Sequence, residues 1–176
     1  YNKIYSEEYE GVTPPSTLYV EYIISPTIGE FQADDPVYAN KYFMLNATVN
    51  GTKSNFVNAT VSMVSGADKV TLKWENSTDT FSEIADSGNW YVLNSSTSQS
   101  ASVNATATKL TWHGRLGWNY TEGAVDVNAT AYDSRGGYST GNHTGLFTFE
   151  EDLDVVSASV DDSRVDPSQN ILFNGT

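Results

Sequence analysis

The chain has no cysteine among its 176 residues, which excludes disulfide bridges and thiolate metal centres without fixing the compartment, because a chain of this length can bury a sufficient core unaided. Basic residues are scarce as well: 9 Lys and Arg stand against 22 Asp and Glu, for a net charge of −13. Neutralising a phosphate backbone takes clustered cations, so no nucleic acid is expected as a partner, and cations or neutral sugars suit this surface better. No apolar run approaches the roughly 18 residues that a spanning helix needs, so no membrane insertion is expected of this segment. Helix-forming runs of Ala, Leu, Glu and Lys are few. Serine and threonine together approach a quarter of the chain, and Tyr and Val are frequent, which points to β structure. The first residue is Tyr1 rather than Met, which reads as a processed form or a piece of a longer chain.

What the sequence has in excess is the triplet Asn-x-Ser/Thr. Ten asparagines begin one: Asn46, Asn50, Asn58, Asn76, Asn94, Asn104, Asn119, Asn128, Asn142 and Asn174. Composition alone predicts roughly three or four, and the triplet is the acceptor of N-glycosylation in extracellular proteins. Their phase sharpens this. In 43–49, Phe43, Leu45, Ala47 and Val49 alternate with Met44, Asn46 and Thr48, the period of a strand with one buried face. The same alternation in 57–63 and 125–131 turns Asn58 and Asn128 outward. Asn50, Asn94 and Asn104 also take the outward phase, whereas Asn76 shares parity with Val70, Leu72 and Trp74 and is placed beyond the strand end.

Strand-like runs recur at 42–50, 55–64, 69–75, 89–94, 101–107, 109–113, 124–132, 146–150 and 153–160. Turn clusters divide them at 65–68, 86–89, 114–115 and 133–137. The expected fold is all-β, an antiparallel sandwich of short strands over 24–154. Residues 1–23 form an N-terminal extension, with one short helix expected from the spacing of Tyr1, Tyr5 and Tyr9. Residues 155–176 read as the start of a second unit, because "DDPVYANKYFMLNAT" at 34–48 is echoed by "VDPSQNILFNGT" at 165–176. The apolar residues Ile171, Leu172 and Phe173 would then be the first core strand of a following repeat, or a strand donated to a neighbouring copy.

The stretches "ADKVTLKWENSTDTFSEIADSGNWYVLN", "LTWHGRLGWNYTEGAVDVNATAYDSRGGYST" and "GLFTFEEDLDVVSASVDD" cover roughly 67–162. Together they resemble the immunoglobulin-like repeats of large cell-surface proteins of archaea and some bacteria. The resemblance implies scaffold work in stalks, surface layers, adhesins or filaments, and assigns no catalytic residue.

Chemistry-bearing candidates are weaker. "GYSTG" at 137–141 has the spacing of a hydrolase nucleophile elbow around Ser139, but a loop rather than a helix is expected after it. His113 and His143 have no neighbours at zinc-ligand spacing. The acidic groups Asp34 and Asp35, Glu150, Glu151, Asp152 and Asp154, and Asp161, Asp162 and Asp166 lie near the repeat boundary, where Ca²⁺ could stiffen an array. Trp74 and Trp112 are in phase with core positions, while Trp90 and Trp118, if exposed as a pair, would suit sugar stacking. The sequence therefore predicts a non-enzymatic extracellular module that needs no cofactor, with covalent N-glycans and possible Ca²⁺. Its expected partners are copies of itself or adjacent repeats, with a sugar-binding adhesin as the alternative.

Overall fold

The computed structural model describes residues 25–51, 56–88, 90–151, 158–160 and 173–175. No helix occurs among them, and the chain forms a two-layered all-β sandwich. One sheet holds β1 (Thr27–Ala33), β3 (Phe43–Asn50), β9 (Ala107–Leu116) and β7 (Tyr91–Leu93) in that order, with β8 (Gln99–Asn104) also paired to β9. The other runs β2 (Val37–Tyr38), β11 (Tyr138–Glu150), β10 (Gly123–Asp133), β4 (Phe56–Ser65), β5 (Asp68–Glu75), β6 (Thr80–Asp86). All ladders in the two sheets are antiparallel except β2–β11, which is parallel and departs from the all-antiparallel expectation. A separate pair, β12 (Ala158–Val160) with β13 (Phe173–Gly175), places Phe173 opposite Val160 of the same chain. Residues 1–23, Ile171 and Leu172 lie outside the described residues.

The alternating strands bury the residues that their pattern selects. β3 turns Phe43, Leu45, Ala47 and Val49 inward; β4 turns in Ala59, Val61 and Met63; β5 turns in Val70, Leu72 and Trp74; β10 turns in Val125, Val127, Ala129 and Ala131. Aromatic rings close the space between the layers. Phe81 of β6 meets Trp112 of β9 edge-on at 5.6 Å, and Phe43 meets Phe147 of β11 at 5.4 Å. Burying each such side chain is worth about 1.5–3 kcal/mol, so the sandwich has a driving force that needs no disulfide.

Four expectations are corrected. Gly114 and Arg115 do not turn the chain but lie inside β9. A Cβ on Gly114 would lie 2.2 Å from the Tyr91 hydroxyl oxygen and 2.7 Å from the Val92 carbonyl, so this glycine marks a close approach rather than a turn. The runs 101–107 and 109–113 divide instead into β8 and a longer β9, with the turn at 105–106. The segment 80–86 is a strand, and β11 begins at Tyr138 rather than 146. The remaining turns fall where expected, and two of them are tied by a carboxylate. Asp133 accepts from the amides of Arg135 and Gly137 at 2.9 and 2.7 Å, and Asp86 from those of Gly88 and Tyr91 at 3.0 and 2.7 Å.

Candidate functional site

The residues that carry chemistry lie on the two outer faces and in the turns. Strand register on the six-stranded sheet sets them in rows. One row runs Asn142, Asn128, Ser62, Thr71; the next Thr140, Thr130, Thr60, Lys73, Ser82; the third Tyr138, Tyr132, Asn58, Glu75, Thr80. Asn128 and Asn142 are thus direct cross-strand partners, with Cβ atoms about 5 Å apart. The Ser62 and Thr71 hydroxyls share a hydrogen bond of 2.9 Å, and Lys73 pairs with Glu75 at 2.7 Å. Tyr132 and Tyr138 stand together at one end, ring centroids 6.2 Å apart, with Tyr138 63% exposed.

On the five-stranded sheet, Asn46 lies opposite Thr111 and accepts its hydroxyl at 2.6 Å, while Asn50 is exposed at the strand end. Further along this face Tyr42 and Met44 are about half exposed. The Arg115 guanidinium lies 5.6 Å from the centroid of the Tyr42 ring, and His113 packs against the same ring. The Thr97 hydroxyl is hydrogen-bonded to the His113 Nδ1.

The asparagines in turns and near strand ends differ from one another. Asn76 lies just past β5, and its side-chain amide donates to the Phe56 carbonyl at 2.9 Å. Asn94 opens a turn in which its Oδ1 accepts the Ser96 hydroxyl at 2.7 Å. Asn104 Oδ1 accepts both the Thr106 amide at 2.8 Å and its hydroxyl at 3.1 Å. Asn119 is exposed in the loop before β10. Asn174 lies in β13, opposite Ser159.

Of the acidic candidates, Asp34 accepts the Met44 amide at 3.1 Å and Asp35 the Thr148 amide at 2.9 Å, so both fasten loop to strand. Glu150 ends β11 and Glu151 is exposed; Asp152, Asp154, Asp161, Asp162 and Asp166 lie outside the described residues. Among the described residues no group of three or more His, Asp or Glu converges as a metal centre. Asp68 has its carboxyl held below the usual range by the Thr121 hydroxyl, against the opposing effect of burial, with the Thr121 amide adding to the hydroxyl. Glu83 is exposed at the β6 edge, yet partial desolvation raises it, helped by the neighbouring charge of Asp86.

Ser139 lies on β11, extended beyond the turn at 134–136, with strand on its C-terminal side. Trp74 and Trp112 are fully buried, as their phase predicts; Trp90 is half-buried and Trp118 is 39% exposed, so these two do not form an exposed pair. Among the described residues Tyr132 and Tyr138 form an exposed aromatic pair, which sequence reasoning missed. Only the β10–β11 register brings them together.

No protein-family model matches this sequence, and no curated protein sequence does. Among solved structures, the chain is similar to the SrpA adhesin of Streptococcus sanguinis at 13% identity and a TM-score of 0.45, over 79% of this chain and 64% of that one. It is also similar to a DUF4466 family protein from Parabacteroides merdae at 11% identity and a TM-score of 0.38, over 74% of this chain and 46% of that one. The chain thus spans less than two thirds of either structure.

Proposed function

We propose that this chain is a non-enzymatic structural module of an N-glycosylated extracellular cell-surface assembly, joined head to tail to copies of itself or to adjacent repeats. One observation carries the reading. The nine triplet asparagines whose surroundings are described, from Asn46 to Asn142, are all exposed or half-buried, while the side chains alternating with those on β3, β4 and β10 fill the core. A glycan is tolerated only where its asparagine meets solvent. Glycans on both outer faces would hinder face-to-face packing and leave the ends of the sandwich for assembly, in keeping with the sequence likeness between 34–48 and 165–176.

Glycopeptide mass mapping of native material tests this: occupied triplets on both sheets are expected, and a chain with no sugar at any of them would overturn the reading. Electron microscopy of the same material addresses the head-to-tail part, with end-joined units expected and face-to-face stacks contrary to it.

A second reading is a carbohydrate-binding or adhesive module, favoured by the exposed Tyr132–Tyr138 pair beside the hydroxyl rows of the six-stranded sheet. Binding on a glycan array that is lost in Tyr138→Ala, with the fold unchanged, supports it. Background binding alone removes it.

A further inference from the structure

The triplets are not equivalent once the sandwich has formed. In N-glycosyl transfer the asparagine Nδ2 attacks the anomeric carbon of a sugar activated as a polyprenyl phosphate or pyrophosphate ester. The N–C bond forms, the C–O bond to phosphate breaks, the phosphate leaves with the electron pair, and Nδ2 gives up a proton. The acceptor segment must present its carboxamide and the hydroxyl two residues on as one compact unit, on backbone that the transferase can enclose.

A strand cannot meet that demand. Side chains at i and i+2 are separated by about 6.6 Å along an extended backbone. Asn46 lies on β3 between β1 and β9, Asn58 on β4 between β10 and β5, and Asn128 on β10 between β11 and β4, so both backbone edges are taken. Asn142 pairs with Asn128 across the β10–β11 ladder.

Two of the four turn triplets are compromised in other ways. Asn76 spends an Nδ2 hydrogen on the Phe56 carbonyl, and the Thr78 hydroxyl is bound to that of Thr80 at 2.7 Å. Beyond Asn119, the Thr121 hydroxyl donates to Asp68 at 2.6 Å. Asn94 and Asn104 alone among the four have the hydroxyl of their own triplet against their own carboxamide, in turns that flank β8 at its two ends. Asn104, Ser96 and Thr106 are exposed.

We propose that, among the triplets whose three residues are described, Asn94 and Asn104, the latter at the very end of β8 with Ala105 and Thr106 in the turn, are the sites at which the folded sandwich accepts N-linked sugar, and that the mid-strand asparagines are modified only before their strands pair. This rests on the glycoprotein reading above and adds an order of events to it. A strand triplet becomes available only through extensive unfolding, so its rate on the folded protein falls by at least on the order of a hundredfold.

The test uses unglycosylated, folded protein, a purified single-subunit oligosaccharyltransferase that accepts the plain triplet, and a polyprenyl-pyrophosphate-linked oligosaccharide, with glycopeptides mapped over time. Short synthetic peptides spanning each triplet report intrinsic acceptor strength. Sugar is expected at Asn94 and Asn104 of the folded protein at near-peptide rates, and at Asn46, Asn58 and Asn128 only in peptides. Thr106→Val should abolish modification at Asn104 alone. Strand triplets modified as fast as Asn94 on the folded protein, or Asn94 and Asn104 inert there while their peptides react, would overturn the proposal. Native material without sugar would instead count against the glycoprotein reading, leaving the measured order of sites as it stands.

Discussion

At the scale of single residues, hydrogen-bonding state separates positions that sequence treats alike. Among the described residues the buried Tyr120 hydroxyl has no hydrogen-bond partner, while its ring packs edge-on against Phe149 at 5.4 Å. Removing an unsatisfied buried hydroxyl while keeping the ring relieves a desolvation cost, so Tyr120→Phe is expected to stabilise the domain by about 1 kcal/mol in urea unfolding. A loss of stability would mean that the hydroxyl has a partner. Asn76 and Asn128 both begin triplets, yet Asn76 ties its turn to β4 through the Phe56 carbonyl, and Asn128 is exposed mid-strand. Asn76→Ala should cost about 1 kcal/mol, whereas Asn128→Ala should stay within about 0.5 kcal/mol of the parent. Both measurements belong on unglycosylated protein, where sugar does not contribute.

At the scale of elements, legibility followed burial. β3, β4, β5 and β10 each have a buried face, and their alternation marked them in the sequence with boundaries near those observed. β6 escaped because it is an edge strand: Phe81 is its one buried hydrophobic residue, Ile84 is 53% exposed, and the register shift opposite Thr71/Leu72 breaks the period. The first half of β11, "YSTGNHTG", has no hydrophobic signal and is held as strand by its ladder to β10. The same limit applies to the candidate site. The triplets and their outward phase could be read directly, but the pairing of Asn128 with Asn142, and of Tyr132 with Tyr138, depends on register that only the assembled sheet defines. Contact between β1 and β11 was equally hidden. A Cβ at Gly141 would lie 2.3 Å from the Ile28 carbonyl oxygen, a backbone atom that cannot rotate away. Gly141→Ala should therefore destabilise by roughly 1–3 kcal/mol, as overpacking does, and a neutral result in the same unfolding assay would show that β1 does not press on β11.

For the whole molecule, the governing quantity is its charge of −13, spread over a surface with few cations to offset it. Compact folding brings these carboxylates together, so screening by monovalent salt should raise the melting temperature at neutral pH. Titration gives a more specific handle, because two carboxyls are displaced in opposite senses. Asp68 is held low by Thr121, so its contribution is present above the ordinary aspartate range and disappears as pH falls through the lowered value. Glu83 is raised by partial desolvation and by Asp86, so its ionised form opposes folding; that penalty is complete above the raised value and vanishes below the ordinary glutamate range. Glu83→Gln removes the penalty without removing the side chain's bulk. The variant is expected to melt above the parent at pH 7, with the difference shrinking as pH falls and gone by about pH 3, where both residues are neutral. Calorimetry across that range provides the check: a difference that persists at low pH would trace the effect to packing at the β6 edge rather than to charge.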